Sequence, residues 1–125
     1  FDLLKADLPV AECLVAVLEA AARRYAADPD AAGCLVIEGV RCTDREAREA
    51  AGTFLAAAEG AIHRFVAARH PDQAERVTDY MSTVMAGLSA SARNGHNLDR
   101  LLATARLAGV GLEQTFALNR QGREK

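Results

Sequence analysis

Histidines, cysteines and scattered carboxylates are the residues of this chain with chemistry to offer, and their spacing decides what that chemistry could be. His63, His70 and His96 are metal ligands or proton carriers by type. They fall on a helix middle, a helix end and a loop, so no shared metal site is expected. A di-iron bundle repeats Glu-x-x-His on two helices. Here Glu59 and His63 stand four apart and the pair is not repeated. The chain contains no His-Glu-x-x-His, no phosphate-binding loop and no Gly-x-Ser-x-Gly elbow. Cys13, Cys34 and Cys42 are odd in number and none stands in C-x-x-C spacing. Cys34 and Cys42, eight apart, share a helix face if that segment is helical and would then offer a redox pair. The favoured reading is of small buried hydrophobes in a reducing compartment. No catalytic residues, no metal and no cofactor are expected, and the chain reads as something other than an enzyme.

The elements that hold these residues are helices. A chain of 125 residues, 50% hydrophobic and 5% aromatic with no Trp, makes one domain over 1–125. Its size allows a core without metal or disulfide staples. Alanine is abundant and Pro9, Pro29 and Pro71 are far apart, which favours helices, whereas strands need more β-branched and aromatic residues. A first helix is expected over 8–27, with Asp7 as N-cap and Pro9 in the first turn, and with Val10, Cys13, Leu14, Val17, Leu18, Ala21 and Tyr25 on its core face. The apolar run 34–41 has the length of a strand but no partner strand, so it reads as a short irregular helix interrupted at Gly39. Thr43 and Glu46 form a capping-box signature for a helix over 44–69, with Ala47, Ala51, Phe54, Ala58, Ile62 and Phe65 as its stripe. A fourth helix runs over 72–93 and stops at Asn94-Gly95, and a fifth, capped by Asn97, runs to about residue 118 before a charged, frayed tail. Four long helices plus one short one, joined by short connections, make an all-α antiparallel bundle.

Fifteen Lys and Arg against seventeen Asp and Glu leave a formal charge of −2, with no basic excess for gripping a phosphate backbone. No uncharged apolar run of membrane-spanning length occurs, and the start has no signal-peptide pattern. A cytoplasmic protein without membrane contact is therefore expected.

Two segments carry a family resemblance. RRYAADPDAAGCLV, a helix ending in Tyr25 followed by Asp28-Pro29 and Gly33-Cys34-Leu35-Val36, resembles the regulatory region of TetR/AcrR-family transcription regulators. YMSTVMAGLSASARNGHNLDRLLATARLA resembles the late helix pair of that family, with Gly87-Leu88, Ala92-Arg93, Asn94-Gly95 and Leu101-Leu102 in order. The resemblance extends from about Pro9 to Leu112 and implies the ligand-binding and dimerisation domain of a bacterial regulator, a repressor, whose N-terminal helix-turn-helix is absent from this chain. DNA would be met only through that absent domain.

The resemblance further implies a homodimer in which the last two long helices pack on their counterparts. Gly87, Leu88, Ser91, Ala92, Leu101, Leu102, Ala105, Ala108 and Leu112 are the residues expected there, although the same stripe serves the core of a monomeric bundle equally well. It also implies a small apolar or aromatic effector lying among Phe54, Ala58, Ile62, Tyr80, Met81, Val84 and Met85, with segment 34–41 closing the side. Simple core filling by the same residues stays open. Thr53, Glu59, His63, Tyr80 and Thr83 are the polar groups available to orient an effector. The alternative function is a helical protein-interaction module with no small-molecule ligand.

Overall fold

The computed structural model describes residues 2–28, 32–39 and 43–124, the side chains of 35, 36 and 119–124 excepted. Five α-helices follow one another: α1 (Val10–Ala26), α2 (Leu35–Gly39), α3 (Arg45–Ala67), α4 (Ala74–Arg93) and α5 (Leu98–Glu124), with a 3-10 turn over Pro71–Gln73. The described residues contain no strand, and the protein is an all-α bundle of four long helices and one short one. The end of the expected short helix, and Cys42 with it, lie outside the described residues.

The helix ends show what local chemistry set and what it did not. Asn97 caps α5 as its type demands, its Oδ1 accepting the Arg100 N–H at 3.0 Å. Asn94 and Gly95 stop α4, Gly95 taking φ +93°, a left-handed conformation that an L side chain resists. The cap of α3 is Asp44 rather than Thr43: its carboxylate accepts the Ala47 N–H at 3.0 Å. Both residues are good caps, and the choice moves the helix start by one position. Pro9, not Asp7, is the N-cap of α1. The preceding residues form a turn in which the Leu8 N–H donates to the Lys5 carbonyl. Arg69, from beyond the end of α3, clasps that turn, donating to the Leu8 carbonyl at 2.6 Å and the Lys5 carbonyl at 3.5 Å, with its guanidinium over the Phe65 ring. The tail expected to fray continues α5 as helix to Glu124.

Helix α1 packs against both α5 and α4, while α3 packs against α4 and α2. Glu19 pairs with Arg106 at 3.6 Å, Val15 lies against Gly109, and Val10 shares a groove with Phe116, so α1 and α5 run antiparallel. Tyr80 beside Gly111 and Gln73 donating to the Thr115 carbonyl set α4 antiparallel to α5 in the same way. Leu14, Leu18 and Ala22 of α1 are fully buried, and meet in one core with Ile62, Val66, Met81, Leu88, Leu101, Ala105 and Leu112. Each large apolar side chain so buried contributes about 1.5–3 kcal/mol.

The stripe of α3 keeps Ala51 and Ile62 buried and Ala58 and Phe65 half-buried as expected, but Ala47 and Phe54 fall outside the covered face and Val66 joins it. Ala51, Ile62 and Val66 are its buried residues, whereas Phe54 is 69% exposed. Among the described residues, five-residue α2, set against Ala51 through Gly39, covers this end of α3. A helix that short does not reach round to Phe54, and helical periodicity alone does not show where cover ends.

Candidate ligand groove and outer helix face

Grooves indent the described surface where the helices meet. One of them, lying between α2, α3 and α4 with a volume of about 330 Å³, includes two of the seven expected ligand residues. Ile37 of α2 closes one side. Leu55, Ala58 and Glu59 come from α3, and Ser82, Thr83, Met85 and Ala86 from α4. Ala58 and Met85 are thus the two expected ligand residues that line it. Ile62 and Met81 lie in the core of the bundle at 1% and 0% exposure. Val84 packs half-buried against that core, and Phe54 points outward. Tyr80 lies instead on a groove of about 270 Å³ between α4 and α5, with Arg76, Val77, Gly111, Leu112 and Thr115. Of the expected polar groups, Glu59 and Thr83 reach the α2–α3–α4 groove, while Thr53 is exposed and donates back to the Glu49 carbonyl. Ser82 and Ala86, not singled out from sequence, stand one turn apart on α4. They could be recognised there only as small residues beside Met85.

Ser82 is unusual among the hydroxyls of α4. Thr78 and Thr83 each donate to the carbonyl four residues back, at 2.6 and 2.9 Å. The Ser82 Oγ is buried and, among the described residues, has no hydrogen-bond partner. A buried hydroxyl left in that state costs about 1–3 kcal/mol.

The α2 wall of the groove is fastened to α4 by a buried polar joint. Ser89, with no exposed surface, accepts the Cys34 N–H at 2.7 Å and donates to Glu38 at 3.2 Å. Glu38 is also paired with Arg93 at 3.7 Å. Gly33 fits against this joint at φ +96°, and a Cβ there would stand 3.0 Å or less from Ser89 and Arg93. Its N–H closes onto the Tyr25 carbonyl at 3.0 Å. Burial drives the Tyr25 phenol well above its ordinary range, and the neighbouring Cys34 thiol adds to the effect.

The residues expected at a dimer interface divide sharply. Leu88, Ala92, Leu101, Leu102, Ala105, Ala108 and Leu112 are at most 6% exposed and belong to the core of the single chain. Gly87 is exposed, and Ser91 is half-buried. On the other side of the same two helices Tyr80, Leu107, Val110 and Leu118 are 41%, 72%, 55% and 64% exposed. Helix α5 is therefore apolar on two faces, of which the fold covers one. Periodicity picks out the inner face, because the outer one is diluted by Thr104, Gly111 and Gln114.

A larger groove, of about 680 Å³, lies where α1 begins and α3 ends, between Pro9, Val10, Glu12, Arg69, His70, Glu113 and Phe116. The His70 and Phe116 rings stack with centroids 4.5 Å apart. No group of three or more potential metal ligands gathers among the described residues. None of their helices is long and apolar enough to cross a membrane.

No family model matches the chain, and no solved structure resembles it closely enough to be matched. A curated relative does: the HTH-type transcriptional repressor BdcR of Escherichia coli strain K12 is 51% identical over 112 residues, covering 90% of this chain. The chain spans 57% of that relative's length.

Proposed function

We propose that this chain is the effector-sensing and dimerisation domain of a TetR-type transcriptional repressor. The observation that carries the reading is the second apolar face of α5, flanked by Tyr80 of α4. A monomer leaves Leu107, Val110 and Leu118 in water on one side of α5, and large apolar side chains gathered on one helix side mark an association surface. Two copies meeting through α4 and α5 about a two-fold axis would bury it as a four-helix contact, each subunit presenting the same patch. The repressor relative supports a role in transcription, and its helix-turn-helix designation supports a reading head outside the stretch of sequence shared with this chain.

The α2–α3–α4 groove is the effector site in this reading. At about 330 Å³ it stands at the lower end of the range for small-molecule pockets. An effector preferring one arrangement of α2, α3 and α4 shifts the population toward it. That arrangement is passed to the α1 end of the bundle, where Arg69 ties the end of α3 to the turn before α1. In the intact dimer this alters the separation of two heads that must match half-sites about 34 Å apart. A helical interaction module without ligand would need no such groove.

Light scattering after size-exclusion chromatography tests the association. The chain is expected to elute as a dimer, and Leu107→Glu with Val110→Glu to elute as a monomer of unchanged helicity. A monomeric parent chain, or a charged variant that still dimerises, would overturn the assignment of this face.

A further inference from the structure

The groove between α2, α3 and α4 has a polar level that narrows the class of effector, an inference resting on the effector-sensing reading above. Glu59 lies eight residues before the end of α3, and Ser82 eight residues after the start of α4. In an antiparallel pair joined by a short connection these positions stand opposite each other, and both line the groove. Glu59 offers a carboxylate that has no ion pair among the described residues. Ser82 offers a hydroxyl that has given up the usual bond to the carbonyl four residues back and found no other partner there. Apart from Thr83, whose hydroxyl is engaged by the Asp79 carbonyl, the remaining surface is apolar: Ile37, Leu55, Ala58, Met85 and Ala86.

We propose that this groove binds a compact amphipathic amine. Its apolar body lies on Ile37, Leu55, Ala58 and Met85, and its ammonium head donates to the Glu59 carboxylate and, once the Ser82 side chain turns about χ1 to bring its enclosed hydroxyl to the groove surface, to that hydroxyl. An ammonium has three donors and no acceptor, so it satisfies both oxygens at once. A carboxylate in the same place is repelled by Glu59. A neutral alcohol satisfies one oxygen or the other without the charge. The orphaned Ser82 hydroxyl is then a group kept at a cost in the free protein and used when the amine is bound.

The sequence contains two methionines, which makes the test direct. With 13C-labelled methionine methyls, Met85 reports on the groove and buried Met81 serves as the internal reference. The full chain is titrated with 2-phenylethylamine, 2-phenylethanol and 3-phenylpropionate, which share an apolar body and differ in the head. The amine is expected to move the Met85 signal and to bind about three- to tenfold more tightly than the alcohol, the range for a partly exposed charge-assisted contact. Glu59→Gln should remove that advantage and leave the alcohol unaffected. Ser82→Ala should weaken the amine about threefold while raising the melting temperature of the free protein, because it deletes a buried hydroxyl without a partner. A merely structural serine gives no such opposition of signs.

Equal binding of alcohol, acid and amine at Met85 overturns the amine assignment and leaves the effector-sensing reading intact. The same holds if Glu59→Gln leaves amine affinity unchanged. If no probe moves Met85, both fail. Ala58→Trp, which fills the groove, should abolish the Met85 response, and a response that survives it places the amine elsewhere and overturns the proposal.

Discussion

The close crossing of α1 and α5 predicts opposite outcomes for two chemically identical substitutions. Gly109 lies in the interior of α5, where alanine is favoured over glycine by about 1 kcal/mol on helix propensity alone. A Cβ built there would stand 2.5 Å from Cγ2 of Val15 and 3.1 Å from its Cβ. Rotating Val15 about χ1 moves the first contact but not the second, and β-branching leaves it few rotamers to try. Relief therefore requires α1 and α5 to separate, straining a core in which Leu14, Leu18 and Leu112 are fully enclosed. Overpacking of this kind costs about 1–3 kcal/mol. The stiffness of Val15 puts Gly109→Ala at the upper end, for a net loss of about 2 kcal/mol after the propensity gain. Gly52 of α3 has nothing within 4 Å of its Cβ position, so Gly52→Ala should gain about 0.5–1 kcal/mol. Urea denaturation at one fixed protein concentration reads both, because association would otherwise shift the midpoint. The two midpoints should move in opposite directions, and Val15→Ala, which removes the Cγ2 contact and keeps the 3.1 Å Cβ contact, should relieve part of the Gly109→Ala loss, about 1 kcal/mol, in a double-mutant cycle. If Gly109→Ala stabilises as much as Gly52→Ala, the α1–α5 approach is looser than described and the reasoning is refuted.

Two further outcomes concern the joint that seats α2. Ser89→Ala leaves the Cys34 N–H without its acceptor and Glu38 with Arg93 alone, and should cost about 1–3 kcal/mol; amide exchange over 32–39 should accelerate well before that of α1, and unchanged protection there would count against the joint. Tyr25 governs the alkaline limb of stability. Its folded-state pKa is raised, so above about pH 10 the unfolded chain loses the phenolic proton while the folded chain keeps it. The native state then binds more protons than the unfolded one, and stability falls as pH rises. This contribution is complete below the unfolded pKa and is lost through the window above it. Tyr25→Phe should flatten the decline in denaturation midpoint above about pH 10, and an identical slope in the variant would show that other groups cause it.

The all-α class, the order of the helices and the ends set by Asn94-Gly95 and Asn97 are local properties, and composition, periodicity and capping residues were sufficient for them. Asn97, Asn94 and Gly95 act on their own backbone neighbours, so their roles are legible without knowing what packs where. The core face of α1 was legible for a related reason: that helix is covered along its length, and a covered helix writes its burial as a stripe. The failures share a cause in contacts between residues distant in sequence. Phe54 continues the apolar spacing of α3, yet it stands in water, because none of the described helices is laid over it. Leu101, Ala105 and Leu112 make a stripe suited to an interface or a core, and it took the seating of α1 on α5 to assign them to the core and expose Leu107 and Val110 on the other side. Ser82 and Ser89 are both α4 serines in similar surroundings of sequence, one orphaned beside a groove and the other the centre of a polar joint. Periodicity reports that a residue faces something; which partner it faces is set by how helices far apart in the chain are laid together, and this alone separates core, groove and outer face.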